Sequence, residues 1–208
     1  MIPGPGRFIT LEGGEGAGKS TQAALLADTL CARGIAVLRT REPGGAPGAE
    51  ILRNLLLTGG TDWAPRAEVL LHFAARAEHV AKTIRPALEA GMWVVCDRFY
   101  DSTLAYQGFG QGADTAYITA LIGLVGLVPD LTLLLDVPDA VGADRLRGRG
   151  GASDRYERLD GAFHARVNAG FRAIAAAEPG RCVVISADQA IPLVHQEIMA
   201  AVGVRLAE

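Results

Sequence analysis

A glycine-rich loop that ends in Lys19 and Ser20 is the part of the sequence that most directly specifies chemistry. The loop reads Gly13-Gly14-Glu15-Gly16-Ala17-Gly18-Lys19-Ser20 and stands between an apolar run and a helical pattern. Its glycines allow successive backbone N–H groups to point inward at phosphate oxygens, and the helix start adds partial positive charge. We expect Lys19 to bridge the β- and γ-phosphates of a nucleotide and the Ser20 hydroxyl to hold Mg²⁺. The loop therefore predicts a binding site for a nucleoside triphosphate.

Asp97 and Arg98 directly follow another apolar run at residues 93–96. An acidic residue at the carboxyl end of a parallel strand lies over the crevice in which α/β proteins bind ligands. Asp97 would then hold the magnesium ion through water, and the Arg98 guanidinium would bind an anionic substrate. The alternative is an ordinary salt bridge at the end of a strand.

A glycine-rich stretch at 148–153 is surrounded by arginines, namely Arg145, Arg147, Arg149 and Arg155. Phosphoryl transfer would make this stretch a mobile flap, around residues 145–157, that closes over the terminal phosphate. Closure would add positive charge and exclude water. A solvated basic helix face has the same composition, so both interpretations stay open.

Five short apolar runs alternate with helical patterns along the chain. Each run is apolar on consecutive positions, which is typical of parallel strands covered on both faces. We therefore predict one α/β domain over residues 1–208, with a five-stranded parallel sheet and helices on both faces. The predicted strands are 8–12, 35–39, 93–96, 131–136 and 182–186. The predicted helices are 19–33, 47–57, 64–90, 114–127, 139–147, 161–177 and 191–206.

The composition excludes several classes of protein. Because 50% of the 208 residues are hydrophobic, the chain can bury a sizeable core, which excludes disorder for most of its length. A net charge of -3 argues against nucleic acid as the main partner. The most apolar helical segment, 116–128, is too short to span a bilayer, and the N-terminus lacks the apolar stretch of a signal peptide. We expect a cytoplasmic protein that does not bind membranes.

The three cysteines, Cys31, Cys96 and Cys182, are isolated and stand among apolar residues. Their odd number and spacing favour small buried thiols in a reducing compartment over disulfides. Since the sequence has no CxxC or HExxH pattern, a structural zinc site has little support.

The order of motifs resembles the thymidylate kinases, the nucleoside-monophosphate kinases that phosphorylate dTMP. The motif Thr40-Arg41-Glu42-Pro43-Gly44-Gly45, after the second predicted strand, is far more selective in combination with Asp97-Arg98 than the phosphate loop alone. The matching segments are 8–21, 40–45 with Glu50 and Arg53, 68–80, 97–108, 154–157 and 187–189. The resemblance implies a P-loop fold of the nucleoside-monophosphate-kinase type, ATP and Mg²⁺ as cofactors, and a homodimer. It also implies transfer of the ATP γ-phosphoryl group to dTMP, giving dTDP and ADP.

The resemblance assigns ATP and its metal ion to residues around the phosphate loop. Ser20 and Asp97 would hold Mg²⁺, and Lys19, Arg98 and a flap arginine would supply catalytic positive charge. Because the phosphate loop carries no arginine, this chain resembles the members whose extra arginine lies in the flap. The flap candidates are Arg149 and Arg155. The implied ATP-binding residues are Gly13, Gly14, Glu15, Gly16, Ala17, Gly18, Lys19, Ser20, Thr21 and Asp188.

The implied dTMP site is spread over four segments of the chain. Glu15 would approach the sugar 3′-hydroxyl, and Arg53 and Arg98 would grip the phosphate. Tyr106 would crowd the sugar 2′ position and so favour deoxyribose. The residues that would hydrogen-bond the thymine edge are Arg76, Thr103 and Gln107.

His72 departs from the family pattern. The family usually places a stacking Phe four residues before the thymine-reading Arg, and this chain has His72 there with Phe73 beside it. On a helix, Phe73 points about 100° away. A neutral His72 can still stack on thymine, with added polarity and a pH dependence. The sequence leaves open which of the two residues stacks.

Other functions stay open on the sequence alone. The nearest is the same reaction on another deoxynucleoside monophosphate. A different class is a P-loop protein that is not a kinase, such as an ATP-driven switch, which would hydrolyse ATP without an acceptor nucleotide.

Overall fold

Five parallel strands form a single sheet in the computed structural model, which describes residues 5–58, 60–149 and 155–206, without the side chain of Arg149. The strands are β1 (Phe8–Glu12), β2 (Val37–Arg41), β3 (Trp93–Asp97), β4 (Leu131–Asp136) and β5 (Cys182–Ser186). Their order is β2-β3-β1-β4-β5, and every pairing is parallel. The predicted sheet is confirmed. Its central strand, β1, feeds the phosphate loop, so the loop lies at the middle of the sheet's carboxyl edge.

Helices cover both faces of this sheet. The helices are α1 (Lys19–Ala32), α2 (Pro47–Leu57), α3 (Pro65–His79), α4 (Arg85–Glu89), α5 (Tyr100–Thr103), α6 (Thr115–Val125), α7 (Asp139–Arg149), α8 (Gly161–Ala177) and α9 (Ile191–Leu206). Two π-helical segments, π1 (Val80–Ile84) and π2 (Leu104–Gly110), follow α3 and α5. Over the residues described, no helix combines the length and apolar character needed to cross a membrane.

The side chains of β1 and β4 alternate between the two faces of the sheet, and both faces are covered by apolar clusters. Ile9 and Leu11 pack with Leu26 of α1 and Ile198 of α9 on one face. On the opposite face, Phe8 packs with π1, and Leu134 of β4 packs with α8. Strands buried on both faces explain the continuous apolar runs in the sequence.

Several element boundaries differ from the sequence prediction. Strand β2 lies at Val37–Arg41 rather than 35–39, and the predicted helix 64–90 is interrupted by π1, with Pro86 in the first turn of α4. Helix α6 ends at Val125 because Gly126 adopts a φ of 63°, which stops a helix. Shifts of one or two residues occur at the ends of α1, β3 and α7. The helical segment made of α5 and π2 was not predicted.

Glycines explain why the π2 segment escaped prediction. A Cβ at Gly110 would lie 2.6 Å from the Phe163 ring of α8, and one at Gly170 of α8 would lie 2.7 Å from the Phe109 ring. These two contacts bring the backbones of π2 and α8 close together. In the sequence, Gly108 and Gly110 are typical of a break in a helix, whereas Gly170 lies within the predicted helix 161–177.

The prediction that all three cysteines are buried is wrong for Cys31. Cys96 and Cys182 are buried, but Cys31 is exposed. The buried stripe of α1 includes Ala23, Leu26, Ala27 and Leu30. Because successive helix residues are about 100° apart, the position after Leu30 lies off that stripe.

Candidate active site

The phosphate loop is shaped by glycines that a larger residue could not replace. Gly13, Gly16 and Gly18 have φ values of 139°, 73° and 88°. A Cβ at Gly16 would collide with the carbonyl oxygen of Gly142 in α7. The loop therefore depends both on left-handed backbone and on close packing against the helix that enters the predicted flap.

Lys19 folds back over this loop. Its Nζ donates to the carbonyl oxygens of Gly13 at 3.0 Å and Gly14 at 2.6 Å, and the side chain is buried. Burial, together with the nearby Arg98 cation, lowers the pKa of Lys19 from 10.5 to about 8. A cation short of counter-charge at the end of a cavity is suited to a phosphate ligand.

Ser20 and Asp97 meet at the same edge of the sheet. The Ser20 hydroxyl, in the first turn of α1, donates to Asp97 Oδ2 at the end of β3 at 2.5 Å. Hydroxyl and carboxylate oxygens are ligands that Mg²⁺ accepts, so this pair fits the magnesium site predicted from the sequence.

Arg98 and Glu15 form the centre of the cavity wall. Arg98 has a φ of 71°, the one non-glycine residue among those described with a positive φ. Its Nη2 donates to Glu15 Oε1 at 2.7 Å and to the Tyr106 hydroxyl at 3.0 Å, and Tyr106 in turn donates to Glu15 at 2.6 Å. Burial would raise the pKa of Glu15, but the cations of Arg98 and Lys19 lower it to about 2. The carboxylate therefore stays ionised.

Arg53 reaches the cavity from α2. Its Nη1 donates to the carbonyl oxygen of Pro43 at 2.6 Å, in the loop after β2. The nearby Glu50 accepts from Arg41 at 3.1 Å and from the backbone N–H of Gly45 at 2.8 Å. Arg53, from the helix after β2, and Arg98, at the end of β3, thus line one cavity.

Arg76 of α3 is the central cation at the other end of the cavity. Its Nε donates to Glu42 Oε2 at 2.7 Å, and its Nη2 donates to Thr103 Oγ1 and to the Phe99 carbonyl oxygen, each at 3.1 Å. Nη1 is buried and has no hydrogen-bond partner among the described residues. A buried donor without a hydrogen-bond partner costs free energy. A ligand that brings an acceptor to this end of the cavity would therefore bind favourably there.

His72 and Phe73 point to different places. Phe73 is buried and packs under the Arg76 guanidinium, 4.8 Å from the ring centroid, and against Val69 and Ile118. His72 lines the cavity, and its Nε2 lies 2.9 Å from the Tyr156 hydroxyl. Burial, with the Arg76 and Arg155 cations, lowers the pKa of His72 to about 3. The ring is therefore neutral near pH 7, which argues against the pH-dependent stack expected from the sequence.

Glu68 bonds to several polar side chains at the Arg76 end of the cavity. Its Oε1 accepts from the Tyr156 hydroxyl at 2.8 Å and from Gln107 Nε2 at 3.0 Å, while Oε2 lies 3.1 Å from Arg155 Nη2. Glu68 is only 1% exposed. Tyr156 and Arg155 lie in the downstream part of the predicted flap, so Glu68 ties that part of the flap to the base end.

The predicted flap is only partly described. Arg145 of α7 lines the cavity and donates to the Ala187 carbonyl oxygen at 2.9 Å, next to exposed Asp188. Arg155 contacts Glu68 rather than the phosphate loop in this arrangement. The Arg149 side chain and residues 150–154 lie outside the described residues, so the choice of flap arginine stays a prediction.

One cavity of about 870 Å³ joins both ends. The predicted site residues that line it are Glu15, Gly16, Ala17, Gly18, Lys19, Ser20, Thr21, Arg53, His72, Arg76, Asp97, Arg98, Thr103, Tyr106 and Gln107. Among predicted residues with described side chains, the lining does not include Gly13, Gly14, Phe73, Arg155 or Asp188.

Sequence reasoning did not single out Glu68 or Tyr156. A signal for Glu68 was present, because Glu68, His72 and Arg76 recur every four residues and so share one face of α3. Polar residues at that spacing on an apolar helix indicate a buried polar face. Tyr156 gave no such signal, since its partners come from α3 and π2.

Known proteins resemble this chain over nearly its whole length. Residues 11–198 match the family model for thymidylate kinase. A thymidylate kinase of Gluconobacter oxydans is 55% identical over 205 residues, which cover 97% of this chain and 96% of that protein. A thymidylate kinase of Rhizorhabdus wittichii is 60% identical over 187 residues, which cover 88% of this chain and 90% of that protein.

A solved structure supports the same relationship. The crystal structure of thymidylate kinase from Ehrlichia chaffeensis superposes with a TM-score of 0.79 at 38% identity, covering 96% of this chain and 100% of that one. The match extends across both ends of the cavity, from the phosphate loop to the residues after the flap. This chain therefore belongs to the thymidylate kinase family.

Proposed function

We propose that the protein transfers the γ-phosphoryl group of ATP to dTMP, giving ADP and dTDP. One observation carries this proposal: one cavity is lined at one end by the phosphate loop and at the other by Arg76, whose buried Nη1 has no partner in the described part of the chain. Two nucleotides could therefore meet in it, with their phosphates near Lys19 and Arg98 and the acceptor base at Arg76.

The attacking atom would be an oxygen of the dTMP phosphate, which is largely ionised at pH 7. No general base is needed, so the chain's task is to align two polyanions and to offset their repulsion. Lys19 would leave the carbonyl oxygens of its own loop and bind the transferred phosphate. Arg53 and Arg98 would hold the acceptor phosphate from two sides.

Ser20 and Asp97 would hold Mg²⁺ at the mouth of the cavity. When bound, the ion would neutralise charge on the phosphates. Glu15 is kept ionised by Arg98 and is held by Tyr106, so it would accept a hydrogen bond from the sugar 3′-hydroxyl. The bulk of Tyr106 beside it would disfavour a ribose 2′-hydroxyl.

The base end favours a pyrimidine with carbonyl oxygens. Arg76 Nη1 offers a donor to one carbonyl oxygen, and Thr103 and Gln107 line the same wall. In bound dCMP the Arg76 donor would face the exocyclic amino group of cytosine. That group is itself a donor and offers no acceptor, so the site would exclude dCMP. Neutral His72, rather than buried Phe73, would contact the face of the base.

The flap would supply the last positive charge. Arg149 and Arg155 remain our candidates, and Arg145 joins them because it already lines the cavity. Arg155 would have to leave Glu68 to reach the phosphates. We also propose that residues 1–208 act as one domain with this flap, in the cytoplasm.

A homodimer would use α3 and α6. These two helices pack side by side, and they expose Leu70 (48%) and Leu124 (83%). An apolar face that the fold leaves open suits a two-fold interface.

The function is tested by mixing the protein with MgATP and, separately, dTMP, dUMP, dCMP, dGMP, dAMP and UMP. Chromatography then measures ADP and the diphosphate product. We expect dTDP to form with the highest kcat/KM. Preference for another monophosphate would contradict the base assignment, and ATP hydrolysis without an acceptor product would contradict the kinase assignment.

A further inference from the structure

A row of polar side chains connects Thr40 on β2 to Arg76 on α3. Thr40 Oγ1 lies 2.7 Å from His79 Nε2, and His79 Nδ1 lies 3.0 Å from Glu42 Oε1. Glu42 Oε2 then accepts from Arg76 Nε at 2.7 Å. The exposed fraction is 0% for His79, 4% for Glu42 and 3% for Arg76, so the row runs through the interior.

Glu42 is a buried carboxylate with one side-chain partner for each oxygen among the residues that the structure describes. Arg76 occupies one oxygen and His79 occupies the other. With a proton on Nδ1, His79 donates to Glu42, and its Nε2 shares a hydrogen bond with the Thr40 hydroxyl. Without the His79 donor, one oxygen of a buried carboxylate would have no partner, and its orientation toward Arg76 would no longer be fixed.

The backbone that carries Glu42 also packs on His79. Gly45, with a φ of 82°, approaches so closely that a Cβ there would collide with His79 Nε2 and lie 2.5 Å from Thr40 Oγ1. The imidazole ring therefore fixes the loop after β2 as well as the carboxylate. His79 does not line the cavity, so any effect on a ligand must pass through its neighbours.

We propose that His79 is a positioning residue for recognition of the acceptor base, acting through Glu42 on the orientation of Arg76. This inference rests on the proposed function, in which Arg76 Nη1 donates to a thymine carbonyl oxygen. Arg76 and His79 lie one turn apart on α3, so a single helix carries both the group that reads the base and the group that supports it.

The test compares His79→Leu, which removes both hydrogen-bonding atoms, with His79→Asn, which keeps an N–H donor near Nδ1. For the leucine variant we expect a KM for dTMP about tenfold higher, equivalent to about 1.4 kcal/mol. Its kcat should change less than about threefold, its KM for ATP should not change, and its preference for dTMP over dCMP should fall. The asparagine variant should recover most of the wild-type KM.

His195→Leu is the matched control. His195 Nε2 makes a similar contact with Thr29 Oγ1 at 3.0 Å, between α9 and α1. Loss of this contact between His195 and Thr29 should leave the KM for dTMP unchanged. Thermal unfolding of each variant measures the structural cost separately.

A folded His79→Leu variant with the wild-type KM for dTMP would overturn the inference. Equal increases in the KM values for dTMP and ATP, or a fall in kcat alone, would also overturn it, because those results indicate a general structural role. If the leucine variant does not fold, Thr40→Val takes its place, and an unchanged KM for dTMP there overturns the inference.

The wild type tests the proposed function independently. If it prefers another monophosphate, the proposed function fails, and the same variants are measured on that nucleotide. A raised KM for it would then support the positioning role of His79, and an unchanged KM would overturn that too.

Discussion

The two ends of the cavity are built in different ways. The phosphate end comes from one continuous loop and the start of α1, and its key groups are backbone atoms, Lys19 and Ser20. The base end is assembled from side chains far apart in the sequence, such as Glu68 and Tyr156, which are separated by 88 residues. Its polar groups already bond to one another, whereas the bonds of Lys19 to the described part of the chain go to carbonyl oxygens of its own loop.

This difference indicates how each end meets its ligand. A phosphate brings negative charge, and at the phosphate end Lys19 forms no ion pair with a carboxylate among the described residues, although Arg98 is paired with Glu15. A nucleobase is neutral, so the base end keeps its own charges paired, and its unsatisfied buried donors among the described residues are Arg76 Nη1 and Arg155 Nη1. We therefore expect changes at the phosphate end to alter kcat and changes at the base end to alter the KM for dTMP.

The largest effect should come from Lys19→Ala. Loss of this cation should lower kcat about 1,000-fold or more, because it would stabilise charge on the transferred phosphoryl group. Thermal unfolding should show an intact fold, since the change removes a buried cation. The exposed Lys82 provides the matched control, and Lys82→Ala should keep the wild-type kcat. A Lys19→Ala enzyme within tenfold of wild type would contradict the role of Lys19.

A smaller effect is expected from Tyr156→Phe at the base end. Its hydroxyl serves Glu68, Gln107 and His72, so removal leaves a buried carboxylate short of a donor, at a cost of about 1–3 kcal/mol. The KM for dTMP should rise about tenfold with little change in kcat.

His72→Phe is the matched comparison for Tyr156→Phe. The Tyr156 hydroxyl would keep Glu68 and Gln107, so the KM for dTMP should change less than about threefold. Steady-state kinetics with dTMP varied at saturating MgATP measures both variants. A larger effect of His72→Phe than of Tyr156→Phe would show that the ring, and not the polar network, determines base binding.

The last effect concerns stability beneath the phosphate end rather than catalysis. Glu12 accepts from the Phe99 N–H at 2.7 Å and from the Ser102 hydroxyl at 2.6 Å. Burial, with the Asp101 carboxylate nearby, raises the pKa of Glu12 from 4.5 to about 8. Between those pH values the folded state holds a proton that the unfolded state has lost, so stability falls as pH rises.

Glu12→Gln should remove that part of the pH dependence. Gln keeps an acceptor for Phe99 and does not ionise, so the free energy of unfolding should fall less steeply, by up to about 1.4 kcal/mol per pH unit. Urea unfolding at several pH values between the two pKa values measures this pH dependence of the free energy of unfolding. Parallel curves for variant and wild type would contradict a protonated Glu12.

The sequence predicted the phosphate end better than the base end because the first is one continuous segment and the second is assembled from distant segments. A loop that wraps a phosphate needs glycines, Lys19 and Ser20 at fixed spacing, and apolar runs reveal strands buried on both faces. The buried polar network depends on which distant segments the fold brings together. Tyr156 lies just before α8, which packs on π2 through Gly110 and Gly170, and no local pattern encodes its contact with Glu68.

The exposure of Cys31 has a practical consequence for spectroscopy. Of the three thiols, only Cys31 is accessible to a maleimide dye, because Cys96 and Cys182 are buried. It lies in the last turn of α1, the helix that begins at Lys19, and a rise of about 1.5 Å per residue puts their backbones about 18 Å apart. The native sequence thus provides one attachment point for a fluorophore, at a distance from the phosphate loop that a rigid helix sets.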